Sequence, residues 1–432
     1  MKPGFFCILL ACLAAALPAN GRELLVGPSG QYKTIQQAIG QAQAGDVIKL
    51  LPSDAPYREV AVFNNKSGEA GKPIILDGGG ATLDGSEPLR ADEWEEVSPG
   101  LFRSTMLPER LKMGSSRLGR HFFVFDGAIN RMGRVSKGKR APWKAPAELA
   151  PGEWTYVETE KAFYLRLQEG STLSSVRVPE RSDGVSLRGN CEHLVIRNLT
   201  ATHVWNDGFN IHGRSRDIRF ENVRAIECGD DGISAHEDCR IEVDGLLSRG
   251  NATGFCHINQ SQSQNRNIVI EDCAAYGVYV LDQSKNTLQD AIIRRSGVYV
   301  VRVSEEATLA LENVLLEDAP PASQGVLVER GATLDAQRLS SWGVDWTVSR
   351  SIAQLRQSVL AGGAMKLDQP LLWRSDFNLW DMKNITWNGT KGDFAAYIAV
   401  SGQDAHSQQQ KLNRSALPLT IAGADEKRLP AP

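Results

Sequence analysis

The sequence predicts an all-β chain wound as a single-stranded, right-handed parallel β-helix, and three observations predict it. First, seven segments align on one glycine column, Asp207-Gly208-Phe209, Asp231-Gly232-Ile233, Thr253-Gly254-Phe255, Tyr276-Gly277-Val278, Ser296-Gly297-Val298, Gln324-Gly325-Val326 and Trp342-Gly343-Val344, recurring every ~22 residues. Second, alternating apolar runs form another register at Leu194–Asn198, Ile218–Asn222, Ile241–Gly245, Ile268–Asp272 and Leu309–Asn313. Third, the Leu-x-x-Leu-x-Leu pattern and helical segments of a leucine-rich solenoid, which has a similar period, are absent. A two-strand unit cannot bury its apolar face alone; stacking coil on coil buries a continuous column and satisfies the backbone groups between neighbours. Asn198, Asn222 and Asn313 recur at one turn position, where left-handed backbone and side-chain ladders suit them.

In chain order, residues 1–21 read as a signal peptide, with a charged start, the apolar run Phe5–Leu17 and small residues before a mature start near Arg22. Leu9-Leu10-Ala11-Cys12 looks like a lipoprotein box, but the apolar run continues past the cysteine and favours ordinary cleavage. Residues 22–89 form the N-terminal cap and first coils. Thr34-Ile-Gln-Gln37 is a capping box that opens a short helix with Ile35, Ala38, Ile39 and Ala42 on one face, expected to plug the end of the solenoid. Strands follow at Val47–Leu51, Val60–Phe63, Ile74–Leu76 and Ala81–Asp84. Residues 90–180 fall out of register, carry Pro-rich turns and hairpin-like strands at Phe122–Phe125 and Phe163–Leu167, and read as an inserted β-rich subdomain. Residues 181–402 are the main β-helix, and 403–432 a polar tail expected to act as a loose cap.

Of 432 residues, 48 are Lys or Arg and 51 Asp or Glu, a net charge of −3, so no general basic field exists to hold a nucleic-acid backbone. No stretch after the leader reaches the ~20 apolar residues of a membrane span. The expectation is a secreted or periplasmic monomer. Beyond the leader remain Cys191, Cys228, Cys239, Cys256 and Cys273, an odd number with no CxxC pair, which is neither a disulfide scaffold nor a zinc ribbon.

Three passages, Tyr32-Lys-Thr-Ile-Gln-Gln-Ala-Ile39 with Ala44-Gly-Asp-Val-Ile48, the Trp154 segment and Gly402-Gln-Asp-Ala-His-Ser407, resemble the exported right-handed β-helix region proteins of bacteria, a pectin-lyase-like group. That resemblance implies carbohydrate as the substrate class. Locally, Trp205-Asn-Asp-Gly-Phe209 followed one coil later by Cys228-Gly-Asp-Asp-Gly-Ile233 is similar to the polygalacturonase-type glycoside hydrolases. It implies Asp207, Asp230 and Asp231 as the acid and water-activating base of an inverting hydrolysis. Where that family carries Gly-His-Gly and Arg-Ile-Lys, this chain reads Thr253-Gly-Phe-Cys256 and Val298-Tyr-Val-Val301.

The residues support a carboxylate site independently. Neighbouring parallel coils lie ~4.8 Å apart, so Asp207 and Asp231, each just before the column glycine, should stack with Asp230 beside them on the outer wall. Like charges this close cannot all ionise, so one carboxyl should rise towards a general acid while a neighbour stays an ionised base. Alternation points Phe209, Ile233, Phe255, Ile211, Ala235 and His257 inward. It points Asn210, Ser234, Cys256, His212, His236 and Ile258 outward. Asn206, Asn210, His212, His236 and Glu237 would then shape a sugar subsite. Tyr279 and Tyr299 would continue the Asn210 column as stacking platforms, and Arg302 would join Glu237 in a polar turn column.

Each feature has a plainer structural reading. Asp-Gly is an ordinary turn pair; His212 and His236 are surface histidines, with metal binding alongside Glu237 the alternative; His257 is expected to be a hydrogen-bonded core residue. The six cations of Arg131–Lys144 are either a solvated loop or a positive lip for anionic glycans, and nothing marks Cys256 as an activated thiolate. The leading expectation is a polysaccharide-cleaving glycoside hydrolase without a cofactor. A polysaccharide lyase or uronate epimerase, which would call for Ca²⁺ at the acidic patch, and a non-catalytic glycan-binding solenoid are the alternatives.

Overall fold

The computed structural model describes residues 21–414 apart from Asp54. The leader, with its Leu9–Cys12 box, and residues 415–432 lie outside the described residues. Two sheets, of 17 and 12 strands, run the length of the solenoid, parallel throughout except for the antiparallel hairpin of Asn384–Trp387 and Thr390–Gly392 that ends the smaller one. Each central coil gives one long strand to the larger sheet, as in Glu192–Thr202, Arg216–Ile226 and Arg240–Arg249, and one short strand to the smaller, as in Phe209–Ile211, Asp231–Ala235 and Thr253–His257. The ladders are parallel and in register: Leu194 faces Ile218, which faces Ile241.

Sequence accounts for the bends within the long strands. Asn198, Asn222, Asn267 and Asn313 adopt left-handed backbone with φ of 53°, 53°, 57° and 56°. Asn tolerates that region better than most residues. Their amides form the expected ladder, Asn222 Nδ2 donating to Asn198 Oδ1 at 2.8 Å and Asn198 Nδ2 to Asp77 Oδ1 at 3.0 Å.

Inward positions build the core. Val185, Phe209, Ile233, Phe255, Val278 and Val301 form one column through successive coils, and all are fully buried. Burying each such side chain contributes about 1.5–3 kcal/mol. His257 lies in the adjacent inward column, sealed from solvent, with Nδ1 2.8 Å from Asn286 Oδ1. Burial pushes its pKa down to about 3, so it is a neutral core histidine.

Two stretches of register differ from the expected column: Val326 pairs with Trp346, so Asp345, not Gly343, stands opposite Gly325, and a larger shift falls at Gly297. The ladder sets Tyr276 opposite Tyr299, so Val300, not Gly297, occupies the position of Gly277. Matching Ser-Gly-Val-Tyr to Tyr-Gly-Val-Tyr shortens this coil by three residues, whereas the backbone hydrogen bonds hold the longer spacing. Arg302 therefore follows Tyr279 in the outward column, Tyr299 belongs with Thr253 and Tyr276, and Glu305 takes the turn position assigned to Arg302.

Both described ends are closed. The helix Ile35–Gln41 carries the Thr34 capping box and buries Ile35, Ala38 and Ile39. At the other end the helix Phe394–Ser401 buries Phe394 and Tyr397, and Gln408–Gln409 pairs with Leu379–Asp381. Asp404, 1% exposed, accepts from Tyr397 Oη at 2.7 Å and Trp380 Nε1 at 3.0 Å, which ties the start of the tail to the end of the solenoid, while most of residues 405–414 are exposed.

Between the first coils and the rest stands the insertion. Val185 pairs directly with Ala61, so the solenoid continues across the inserted residues without a gap. From Ser86–Pro88 to Val176–Pro179 these residues form two four-stranded antiparallel sheets around Trp94, Leu107, Phe123, Trp154 and Phe163. The five described cysteines are unpaired and buried, and no described helix is long and apolar enough to cross a membrane.

Candidate functional site

The site is built where two coils turn into the short sheet. Gly208 and Gly232 stand at the start of the strands because the backbones approach closely there. A Cβ on Gly208 would lie 2.7 Å from Gly232 O, and one on Gly232 would lie 2.6 Å from Gly254 O. The residues just before them, Asp207 and Asp231, are thereby held in successive coils, with Asp231 N donating to Asp207 Oδ1 at 3.0 Å. Asp230 completes the group, and one carboxylate oxygen from each of the three lies within 4.8 Å of the others.

This cluster is not on an open wall. Asp207, Asp230 and Asp231 are only 4%, 6% and 3% exposed, because the insertion lies on them. Lys137 Nζ is 2.8 Å from Asp230 Oδ1 and 2.5 Å from Asp231 Oδ1, and Arg120 reaches Asp230 Oδ2 at 2.9 Å. Ser136 Oγ also donates to Asp230, and Arg120 donates to Asn206 Oδ1. Arg131 donates to the carbonyls of Cys228, Gly229 and Gly250, anchoring the insertion to the turns beside the cluster. The basic run is thus neither a free lip nor a solvated loop: Arg131, Arg134, Ser136 and Lys137 are folded against protein, while Gly138, Lys139 and Arg140 stay exposed.

The electrostatics divide the carboxyls. Burial works to raise all three. At Asp230 the Lys137 ammonium and Arg120 guanidinium outweigh it and hold the pKa at about 2. At Asp231 burial and the Asp230 charge outweigh Lys137 and lift it to about 6. Asp207, lacking a cation, is pushed well above the usual carboxylate range by burial and by the charges of Asp231 and Asp230. Burial disfavours the Lys137 ammonium, but Asp231 and Asp230 keep it firmly charged. Near neutral pH an ionised carboxylate and a protonated carboxyl therefore stand side by side.

A fourth carboxylate belongs here and sequence reasoning missed it. Asp183, one coil earlier and 2% exposed, accepts from Asn206 Nδ2 at 2.9 Å and Asn210 Nδ2 at 3.1 Å. Its signal was present, because Ser182-Asp183-Gly184-Val185 has the same form as Asn206-Asp207-Gly208-Phe209 and Val185 pairs with Phe209. Arg120, Ser136 and Lys137 left no comparable signal, since they arrive from a distant, irregular segment.

The remaining predicted residues divide into two groups. Asn210, Ser234 and Cys256 point away from the core but are 7%, 0% and 2% exposed, a correction to their expected place on an open face. His212 and His236 are stacked, ring centroids 4.1 Å apart and planes 14° from parallel. His212 Nδ1 pairs with Glu237 Oε2 at 3.1 Å, and His236 Nε2 lies 2.6 Å from Ser234 Oγ. Burial and the His212 ring press the His236 pKa down to about 4, so that ring is neutral. Among the described residues, Asp207, Asp230 and Asp231 form the group of three whose donor atoms converge as metal ligands would, and two of them, Asp230 and Asp231, are paired with the Lys137 ammonium.

Tyr279, Tyr299 and Arg302 gather one coil further on, though not as open platforms. The Arg302 guanidinium lies 5.1 Å from the Tyr279 ring and 5.7 Å from Tyr299, and pairs with Glu329 at 2.5 Å. Tyr276 meets the Tyr279 ring edge-on at 5.0 Å, and Val135 of the insertion packs into the same cluster.

The family model for a right handed beta helix region matches residues 180–337. No curated protein matches the chain. Among solved structures, the xylose complex of XylC is similar with 12% sequence identity, 90% of this chain and 86% of that chain covered, and a TM-score of 0.46. A glycoside hydrolase is similar with 10% identity, 94% and 99% coverage, and a TM-score of 0.47. The segment that carries the carboxylate cluster, residues 180–337, is a right-handed β-helix region.

Proposed function

We propose that the chain is an exported, carbohydrate-active enzyme of the glycoside hydrolase type that cleaves a polysaccharide by carboxyl acid and base catalysis. The observation that carries this reading is the convergence of Asp207, Asp230 and Asp231 with opposite protonation tendencies. Glycosidic cleavage needs one carboxyl to protonate the leaving oxygen and one carboxylate to activate water or attack carbon. Asp231, lifted to about 6, is suited to the acid role, and Asp230, held at about 2, to the carboxylate role. Asp207 accepts from the Asp231 backbone and, protonated beside it, keeps a third negative charge out of the site. His212, His236 and Glu237, in the stacked-histidine turn one strand-length beyond, would contact the bound sugar in this reading.

The test is turnover of purified protein on neutral, uronic and sulfated polysaccharides, with and without chelator, following new reducing ends and ultraviolet-absorbing unsaturated products. Reducing ends that vanish in Asp231→Asn support the hydrolase; unsaturated products move the assignment to a lyase. No cleavage of any polymer, or full activity in Asp231→Asn and Asp230→Asn, refutes the reading. A second reading is favoured by the burial of the carboxylates: they serve as a socket that holds the insertion on a non-catalytic, glycan-binding solenoid. That reading predicts glycan binding without turnover.

A further inference from the structure

The carboxylates are sealed, and what seals them is a short strap. From the end of the strand Ala128–Asn130 to the turn Pro146–Glu148 the insertion has no helix or strand. Within that stretch Gly133 and Gly138 have left-handed φ of 68° and 92°, values that cost a glycine little and other residues more. They bracket Arg134–Lys137, the part that lies against the solenoid. Ser136 and Lys137 hold it to Asp230 and Asp231, and Val135 packs beside Ala252, Ala275 and Tyr276. Arg131 and Arg120, which tie the body of the insertion to the coils, lie outside the bracket.

We propose that residues 133–138 are a gate over the carboxylate cluster, hinged at Gly133 and Gly138 and pinned shut by Lys137. The proposal rests on the reading of that cluster as a chemical site, and concerns how it is reached. With the gate shut a sugar cannot touch carboxyls that are 3–6% exposed. Lifting the strap breaks the Lys137 and Ser136 contacts, the packing of Val135 on Ala252, Ala275 and Tyr276 and the stacking of Arg134 on Trp143, and water rehydrates the charges set free. The body of the insertion stays docked through Arg131 and Arg120 while the strap moves. Few buried apolar contacts and polar, hydratable attachments are the features of a locally opening segment.

A built-in reporter lies under the strap. Cys256 is 2% exposed, in the outward column between Ser234 and Tyr279, whereas Cys228 and Cys273 belong to the interior of the solenoid. Thiol labelling of the full-length protein with a small maleimide, read residue by residue by peptide mass mapping, therefore separates gate opening from unfolding. The expected result is that Lys137→Met raises the labelling rate of Cys256 about tenfold or more and leaves Cys228 and Cys273 unchanged. An unchanged rate at Cys256, or one that rises together with Cys273, overturns the gate. In the unaltered protein, hydrogen exchange gives a reading that does not depend on how the variant folds. Amides 134–137 should exchange far faster than those of Thr253–His257, and equal protection also overturns the gate. Because neither measurement uses a glycan, a gate that opens on a protein that cleaves nothing refutes the catalytic reading alone. Cleavage by a protein whose Cys256 never labels faster refutes the gate alone.

Discussion

One outward column of the smaller sheet has two fates. Asn210, Ser234 and Cys256 are 7%, 0% and 2% exposed, while their successors Leu327 and Thr347 are half-buried and Lys366 is open to solvent. Backbone geometry is the same throughout; the difference is the insertion, which lies over the early coils and ends near Tyr299. Alternation along a strand therefore sets the direction of a side chain but not its solvent contact. In the covered region that distinction turns a patch of exposed acids into a buried, charge-paired cluster with divided protonation.

The largest expected effect lies in the chemistry of the covered region. Asp231→Asn and Asp230→Asn should each lower glycan turnover by roughly a hundred- to ten-thousand-fold, the range for removal of a general acid or base. Asp335→Asn, in an exposed pair with Arg356 at 3.4 Å, should leave it unchanged. Initial rates on the polymer found by screening check this, and equal effects at both places would abolish the distinction between the regions.

Next comes stability. Asp230→Ala leaves Arg120 without its carboxylate and Lys137 with Asp231 alone, in a buried setting where breaking one side of an ion pair costs about 3–5 kcal/mol. Asp335→Ala removes a pair whose side chains are 39% and 52% exposed, and should cost less than about 1 kcal/mol. Urea unfolding midpoints of the two variants measure the contrast. Similar midpoints would mean that water already reaches the covered cluster.

Much of this was legible in the sequence, and the reasons are local. The pairing of Leu194 with Ile218 follows from alternating strands of matched length, and the neighbouring positions of Asp207 and Asp231 follow from a glycine needed at each close backbone approach. The Asn198–Asn222 ladder follows from a residue type that tolerates left-handed backbone. At Gly297 the same logic failed, because a local Ser-Gly-Val-Tyr match outweighed the spacing that the ladder enforces. The cover was illegible for a different reason. Lys137 meets Asp230 across 93 positions of chain, from a segment with no period of its own, and only the packed insertion brings them together. Asp183 was readable and overlooked, since its Asp-Gly-Val motif stands one coil before the more conspicuous pair.

The pH dependence of stability sharpens the comparison with a smaller effect. The Asp231 carboxyl titrates at about 6 in the folded protein against 3.8 ordinarily, so its contribution is fully present below pH 3.8 and is lost as pH rises towards 6. The sign is opposite for Asp230, held at about 2: its contribution is present above pH 3.8 and is lost as pH falls towards 2. Between about pH 4 and 6 the unaltered protein should therefore lose more stability with rising pH than Asp231→Asn does. Urea midpoints across that range test it, and parallel curves would show that Asp231 titrates as an exposed acid.

The smallest effect belongs to the uncovered wall. Thr347 occupies the outward column that begins with Asn210 and Ser234, but it lies beyond the insertion, half-buried between Leu327 and Lys366. A carboxylate placed there keeps its hydration and has Lys366 on the next coil as a neighbour, so Thr347→Asp should change stability by no more than about 0.5 kcal/mol. Ser234→Asp adds a charge to a position without solvent contact, in the coil that carries Asp230 and Asp231, and should be far more costly. Denaturation of the two variants in parallel decides whether position along the column sets the cost. A loss of more than about 1.5 kcal/mol at Thr347 would show that the later coils are as closed as the early ones, and that the insertion is not what separates them.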